Sequence, residues 1–179
     1  MAHPAQKDFC LSIKGRFEGR FIHQTVLDVG SLDINGNNRD LFLNCDYVGC
    51  DIAPGKNVTM VSEAHKLEFE DGFFDTIIST ECFEHDKYYA ESLQNIVRML
   101  GDCGGLFLFT CATTGRSEHG TINKSPKDSP LTASKIGWQE YYKNLTEKDI
   151  REAIDVDGIF REYEFRSEGV DLYFYGVKK

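Results

Sequence analysis

Apolar and polar residues divide this chain into short segments of alternating type. "TVLDVG" (25–30) is an almost continuous apolar run closed by a glycine and reads as a buried strand. "DYVGCDI" (46–52), "VTMV" (58–61) and "FFDTIIST" (73–80) read as further strands. "LFLFTCA" (106–112) is apolar at nearly every position, as expected of a strand covered on both faces. Between these, "KYYAESLQNIVRML" (87–100) places Leu93, Ile96, Val97 and Leu100 at helical spacing, and the Tyr88–Tyr89 pair reads as helix start and packing. Gly36 to Leu43 predicts a short helix with Asn35 as its N-cap. Residues 1–24 predict one short helix and a turn around Gly15 and Gly19. "LTEKDIREAI" (145–154) predicts a helix capped by Thr146, and the alternation in "IFREYEF" (159–165) and "DLYFYGV" (171–177) predicts a closing antiparallel pair.

Strands alternating with helices and ending in a hairpin predict an α/β fold: a Rossmann-like doubly wound sheet, mostly parallel, with a C-terminal antiparallel strand pair. Ligands of such sheets lie at the carboxyl ends of the strands. The segment 113–145 breaks the alternation. It is rich in Gly, Ser and Thr, contains Pro126 and Pro130, and carries the sole tryptophan, Trp138, with Tyr141 and Tyr142. A connection this long inside a compact domain is usually functional, so 113–145 is expected to be a substrate-side insertion or lid. Trp138, Tyr141 and Tyr142 serve either an apolar acceptor pocket or the anchoring of the segment.

Composition narrows the choices. The 179 residues suit a single domain over 1–179, with 1–24 as an N-terminal extension. A formal charge of −9 disfavours a broad electrostatic grip on nucleic acid or an anionic membrane and points to a small-molecule partner. The N-terminus lacks an apolar core of signal-peptide length and the longest apolar runs are far too short to span a bilayer, so a soluble cytoplasmic protein, monomer or homodimer, is expected. Six cysteines without a Cys-x-x-Cys pair read as reduced, buried thiols.

Chemistry enters at "VLDVGSLDING" (26–36). An apolar strand, Asp28 and then Gly30 open like a dinucleotide turn, but the positions two and five beyond Gly30 hold Leu32 and Asn35. The second strand ends at Asp51, 23 residues after Asp28, where an acid typically takes the two hydroxyls of a ribose. An adenosine ligand without phosphates fits this pattern, and S-adenosylmethionine is the common one.

These residues resemble the class I S-adenosylmethionine-dependent methyltransferases, most closely the type 11 group, over roughly 25–112. "VLDVGSLDINGNNR" matches the first glycine motif, with Leu32 where a second glycine is more usual, and "YVGCDI" matches the ribose strand. "SEAHKLEF" (62–69) resembles the adenine segment, with Glu68 in place of a proline. "FDTIISTECFEH" (74–85) resembles the fourth-strand motif, and "IVRMLGDCGGLFLFT" the bridge into the fifth strand, with Cys103 where proline is usual and Arg98, Gly104 and Gly105 kept. The resemblance implies an enzyme with S-adenosyl-L-methionine as cofactor, held by Asp28, Gly30, Ser31, Asp51, Ile52, Glu63, Ala64 and Thr80. In that reading Glu63 meets the adenine amine and the Ala64 backbone meets the ring edge, while Asp28 orients the glycine loop and the methionine amino group.

The reaction expected is in-line methyl transfer to an oxygen or nitrogen of a small acceptor. His119, Glu81 and His85 are the candidate bases, in no fixed order; the Glu84–His85 pair reads equally as structural, and His65 as a loop residue. His3 and His23 read as incidental. Glu81, Glu84, His85 and His119 carry metal-ligating side chains, but no ligand spacing demands a metal and none is assigned. Two rival readings are a non-catalytic S-adenosylmethionine-binding module, disfavoured by the long aromatic segment, and a nucleotide-dependent oxidoreductase, disfavoured by Leu32 and Asn35.

Overall fold

The computed structural model describes residues 4–179; His3 lies outside them. Five strands run parallel: β1 (Thr25–Val29), β2 (Asp46–Asp51), β3 (Met60–Val61), β4 (Thr76–Thr80) and β5 (Leu106–Ala112). β6 (Phe160–Glu168) and β7 (Asp171–Lys178) form an antiparallel pair, and β7 lies antiparallel to β5. The sheet order is β3-β2-β1-β4-β5-β7-β6. The winding reverses between β1 and β4, and that switch point opens a crevice above the strand ends. The Rossmann-like sheet with its closing antiparallel pair is as expected from the sequence.

The strands form because their side chains fill the space on both faces. All seven residues of β5 are buried. On one face α2 (Tyr89–Met99), α4 (Glu147–Ala153) and α5 (Val156–Ile159) bring Leu93, Ile96, Met99, Ile150 and Val156 into one cluster with Phe107, Phe109 and Phe174. Full burial of a side chain such as Leu93 or Ile96 contributes about 1.5–3 kcal/mol. On the other face α1 (Pro4–Arg16) contributes Phe9, Cys10 and Ile13 to a cluster with Ile78, Leu108 and Tyr173.

Four local expectations change. The helix over 36–43 is a three-residue 3-10 turn, Arg39–Leu41, preceded by Asn38 rather than capped by Asn35. Polar side chains capture the backbone there: the Gly36 N–H donates to Asp33 Oδ1 (2.9 Å), Asn37 Nδ2 to Asp33 Oδ2 (3.1 Å), and the Arg39 N–H to Asn37 Oδ1 (2.9 Å). Such bonds compete with helical ones. β3 begins at Met60 because Val58 first closes a turn onto the Gly55 carbonyl. β4 begins at Thr76 because Phe73 and Phe74 pack with Phe69 instead, ring centroids 4.8–5.2 Å apart. β7 is buried from Asp171 to Val177 rather than on alternate positions, because Leu172 and Phe174 enter one core cluster and Tyr173, Tyr175 and Val177 the other.

The Thr146 cap stands: the Asp149 N–H donates to Thr146 Oγ1 and the Thr146 N–H to Asp149 Oδ2. The cysteines are unbridged; Cys10, Cys50 and Cys111 are buried, Cys45 and Cys82 half-buried, and Cys103 exposed. No helix among the described residues is long and apolar enough to cross a membrane.

Candidate functional site

A cleft with about 670 Å³ of space, part of it open to solvent, lies above the ends of β1, β2 and β4. β1 leads into Gly30, whose φ of +78° is left-handed. A Cβ there would stand 2.6 Å from Cys82 Cβ and Sγ, so only glycine lets the loop pass this close to the turn after β4. The Gly30 and Ser31 N–H groups both donate to the Cys50 carbonyl (2.9 and 3.1 Å), which ties the loop to β2. Leu32 then turns back: its N–H donates to Asp51 Oδ2 (3.1 Å), and its side chain packs over Gly55, where a Cβ would come 2.2 Å from Leu32 Cδ1. The Ile52 N–H donates to Asp51 Oδ1 (2.8 Å). Two backbone donors thus fix the Asp51 carboxylate on the cleft wall, with Leu32, Ile52, Ala64 and Trp138 as apolar neighbours in the lining. Burial pushes the Asp51 carboxyl above its ordinary range.

Asp28 is buried one step below. Its carboxylate accepts the Tyr47 hydroxyl on one oxygen and Asn38 Nδ2 on the other (3.1 Å). Asn38 Nδ2 also donates to Thr80 Oγ1 (3.1 Å), so one amide joins the ends of β1 and β4. Burial raises the Asp28 pKa to about 6 against the hydrogen bonds from Tyr47 and Asn38. Asp28, Gly30, Ser31, Asn38 and Thr80 line a smaller hollow beside the main cleft, and Gly30 and Thr80 border both.

The adenine segment divides. Ser62 and Ala64 line the cleft, and the Ala64 carbonyl accepts Asn95 Nδ2 (2.9 Å). Glu63 is not part of the lining; its carboxylate pairs with Lys66 (2.6 Å), Lys135 (2.9 Å) and His65 (3.4 Å). Burial alone would raise its pKa, but hydrogen bonds from Lys66 and Lys135 hold it at about 2. Glu63 therefore ties the adenine segment to the 113–145 segment. The Glu63 side chain turns to these cations because Lys135 is brought to it by a fold contact far away in sequence.

After β4 the chain carries Glu81, whose φ of +52° is uncommon for a residue with a Cβ. Glu81 and His85 line the cleft; Thr110 Oγ1 donates to Glu81 Oε1 (3.0 Å). Glu84 is fully buried. Burial raises the pKa of both glutamates; Asp171 adds to the rise at Glu81, and Glu81 to the rise at Glu84. His119 stands behind His85, ring centroids 5.0 Å apart, and Tyr142 lies against both (5.5 and 5.0 Å). Burial lowers the His85 pKa to about 3 and lowers that of His119 as well, so both imidazoles are neutral near pH 7.

The 113–145 segment forms one wall. Asp128, Ser129, Pro130, Leu131, Thr132 and Trp138 line the cleft, the middle ones on α3 (Pro130–Ser134). Trp138 meets Tyr88 edge-on at 5.8 Å and is therefore both lining and anchor. Tyr142 packs on the histidines. The structure thus gathers Gly30, Asp51, Ile52, Ala64, Thr80, Glu81 and His85 into one lining. It sets Asp28 and Ser31 beside that lining, His119 behind it, and Glu63 outside it. Sequence reasoning missed Asn38 beside the cleft and Asp86, Asp128, Ser129 and Thr132 in its lining. An Asn in the polar run "NGNNR" and hydroxyls in a Ser/Thr-rich segment carry no periodicity that would mark them.

Residues 27–109 match the family described as "Methyltransferase domain". No curated protein sequence matches the chain significantly. Among solved structures it is similar to Haemonchus contortus phosphoethanolamine N-methyltransferase 2 in complex with S-adenosyl-L-methionine, at TM-score 0.64 and 20% identity, over 99% of this chain and 54% of that one. It is also similar to Burkholderia thailandensis 1,6-didemethyltoxoflavin-N1-methyltransferase with bound 1,6-didemethyltoxoflavin and S-adenosylhomocysteine (0.65, 13%, 98% and 79%). A third similar structure is an S-adenosylmethionine-dependent methyltransferase from Aquifex aeolicus (0.63, 14%, 99% and 94%). The chain spans about half the length of the nematode enzyme. At these identities the likeness is one of fold.

Proposed function

We propose, on the premise that residues 27–109 belong to the class I S-adenosylmethionine-dependent methyltransferases, that this chain transfers a methyl group to an oxygen or nitrogen of a small-molecule acceptor. The observation that carries the reading is the Asp51 carboxylate, held by the Leu32 and Ile52 amides on the wall of a cleft with apolar neighbours. A carboxylate so fixed suits a pair of ribose hydroxyls, and the apolar neighbours beside it suit a flat base. The donor set therefore fits an adenosyl cofactor. In this reading Asp51 and Ile52 hold the ribose and Ala64 the ring edge. Gly30, Ser31 and Thr80 shape the loop, and Asp28 with Asn38 fixes that loop from below. Glu63 acts through its ion pairs. When bound, the cofactor supplies an electrophilic methyl on a sulfonium.

The protein aligns the acceptor with that methyl, which can contribute roughly 7–11 kcal/mol. Glu81 and His85 on the lining and His119 behind them form the proton outlet. Asp128, Ser129 and Thr132 supply polar contacts to an acceptor entering along the 113–145 segment, which serves as acceptor wall or lid. The acceptors in the relatives' complexes are small molecules, and the charge of −9 disfavours a polynucleotide. A soluble cytoplasmic protein, monomeric or dimeric, with no nucleic-acid or membrane partner, is the setting that fits. Calorimetry with S-adenosylhomocysteine and with NAD tests the reading: micromolar binding of the first and none of the second is expected, and the reverse overturns it. Mass analysis of cell extract incubated with protein and isotope-labelled cofactor then identifies the acceptor.

A further inference from the structure

We infer that Glu84, His85 and His119 form a binding site for one divalent transition-metal ion of the zinc type, at the edge of the cleft. One donor atom from each of the three lies within 4.8 Å of the others. Glu84 is 0% exposed, and neither of its carboxylate oxygens has a hydrogen-bond partner; the backbone N–H groups of Glu84 itself and Ala112 offset only part of the burial that raises its pKa. His85, 4% exposed, has an unpartnered Nδ1. Two buried polar side chains without partners, adjacent in sequence and convergent in space, are costly unless something satisfies both. A cation accepts lone pairs from all three residues at once, which no water or single proton does.

The surroundings place His119 for this task. Its Nδ1 lies 3.1 Å from the Ser117 carbonyl, which only accepts, so Nδ1 carries the hydrogen and Nε2 keeps the lone pair. An outer carbonyl that orients a ligating imidazole in this way is the usual arrangement at metal sites. Gly120 lets the chain approach: its φ is +66°, and a Cβ there would come 2.6 Å from His85 Cε1. Two imidazoles and one carboxylate suit zinc-like ions rather than magnesium, and they leave a fourth position for a water or an acceptor oxygen. Donors of a tetrahedral zinc stand about 3.4 Å apart, so the cluster contracts by about an ångström on binding. Because His85 also lines the cleft, the ion would hold and acidify an oxygen of the acceptor. That role rests on the methyl-transfer reading, with Glu81 alone taking the proton while His85 and His119 serve as ligands; the binding site itself does not rest on it.

The test is titration of EDTA-stripped protein with Zn²⁺ by calorimetry, with Co²⁺ as an optical probe. One equivalent is expected at micromolar affinity or tighter, with cobalt bands of tetrahedral type and no thiolate charge-transfer band. Glu84→Gln and His119→Ala should each weaken binding by more than the roughly 10–100-fold that loss of an outer-shell partner causes. His119 lies in a loop, so the second variant keeps the test decisive if the first fails to fold. Gly120→Ala should also weaken it. Absence of a bound equivalent, preference for Mg²⁺ over Zn²⁺, equal affinity in folded variants, or a thiolate band from the cysteines would each overturn the site. S-adenosylhomocysteine binding measured in parallel separates the two claims: its loss with metal binding intact strikes the proposed function, and the converse strikes the metal site.

Discussion

At the scale of single residues, the two aspartates at the strand ends do different work. Asp51 faces the cleft, and the proposed cofactor contact predicts that Asp51→Ala weakens S-adenosylhomocysteine binding by about 1–3 kcal/mol, the worth of charge-assisted hydrogen bonds. Calorimetry on a variant with unchanged circular dichroism checks it, and an unchanged dissociation constant would remove Asp51 from the site. Asp28 is an internal support whose carboxylate is already bonded to Tyr47 and Asn38. Its folded pKa of about 6 lies above the ordinary 3.8, so its contribution to stability is full below pH 4 and is lost as pH rises through 6. A shift of that size corresponds to about 3 kcal/mol. Asp28→Asn should therefore flatten the fall in melting temperature between pH 4 and 6. A variant with the same pH slope as the parent would show that another group sets it.

At the scale of elements, the joints between the 113–145 segment and the core include the Lys135–Glu63 ion pair, the Lys87 ammonium on the Gly137 carbonyl (2.8 Å), the Lys143 N–H on the Glu84 carbonyl (2.9 Å), the His119 and Tyr142 rings on His85, and Trp138 on Tyr88. Trp138 is the largest apolar piece among them. Trp138→Ala should speed amide hydrogen exchange across 126–145 while β5 and β7 keep their protection, since local units open at less than the global free energy. Exchange rising equally across the sheet would show the segment to be part of the cooperative core rather than a lid. This segment was legible as an insertion from its composition, but its inner helix at Pro130–Ser134 was not, because five residues are too few for periodicity to register. The helix expected at 36–43 failed for the opposite reason. Its pattern was adequate, but Asp33 and Asn37 draw the backbone into side-chain-bonded turns that compete with a helix.

At the scale of the whole molecule, the cleft is built from loops of both sheet halves, so a ligand there couples to global stability. With S-adenosylhomocysteine at 100 times its dissociation constant, the folded state should gain about 2.7 kcal/mol. For a chain of this size that raises the melting temperature by roughly 5–10 °C. NAD at the same concentration should leave it unchanged; a rise with NAD alone would place the protein among dinucleotide binders.

The succession of strands along the chain, the position of Gly30 and Asp51 at the ends of two of them, and the capped helix at Thr146 were determined by the sequence, because each depends on neighbours within a few residues. Apolar runs make strands, a left-handed turn needs glycine, and Thr with Asp three places on makes a capping box. The partners of Glu63, Asp28 and His85 were decided only by the tertiary structure. Lys135 reaches Glu63 across 72 residues, Asn38 bridges Asp28 to Thr80, and His119 comes to His85 across 34. Whether a carboxylate meets a ligand, a lysine or nothing is set by which loops the sheet's winding brings to the same edge. That depends on closing long loops around a shared core, which no local pattern encodes.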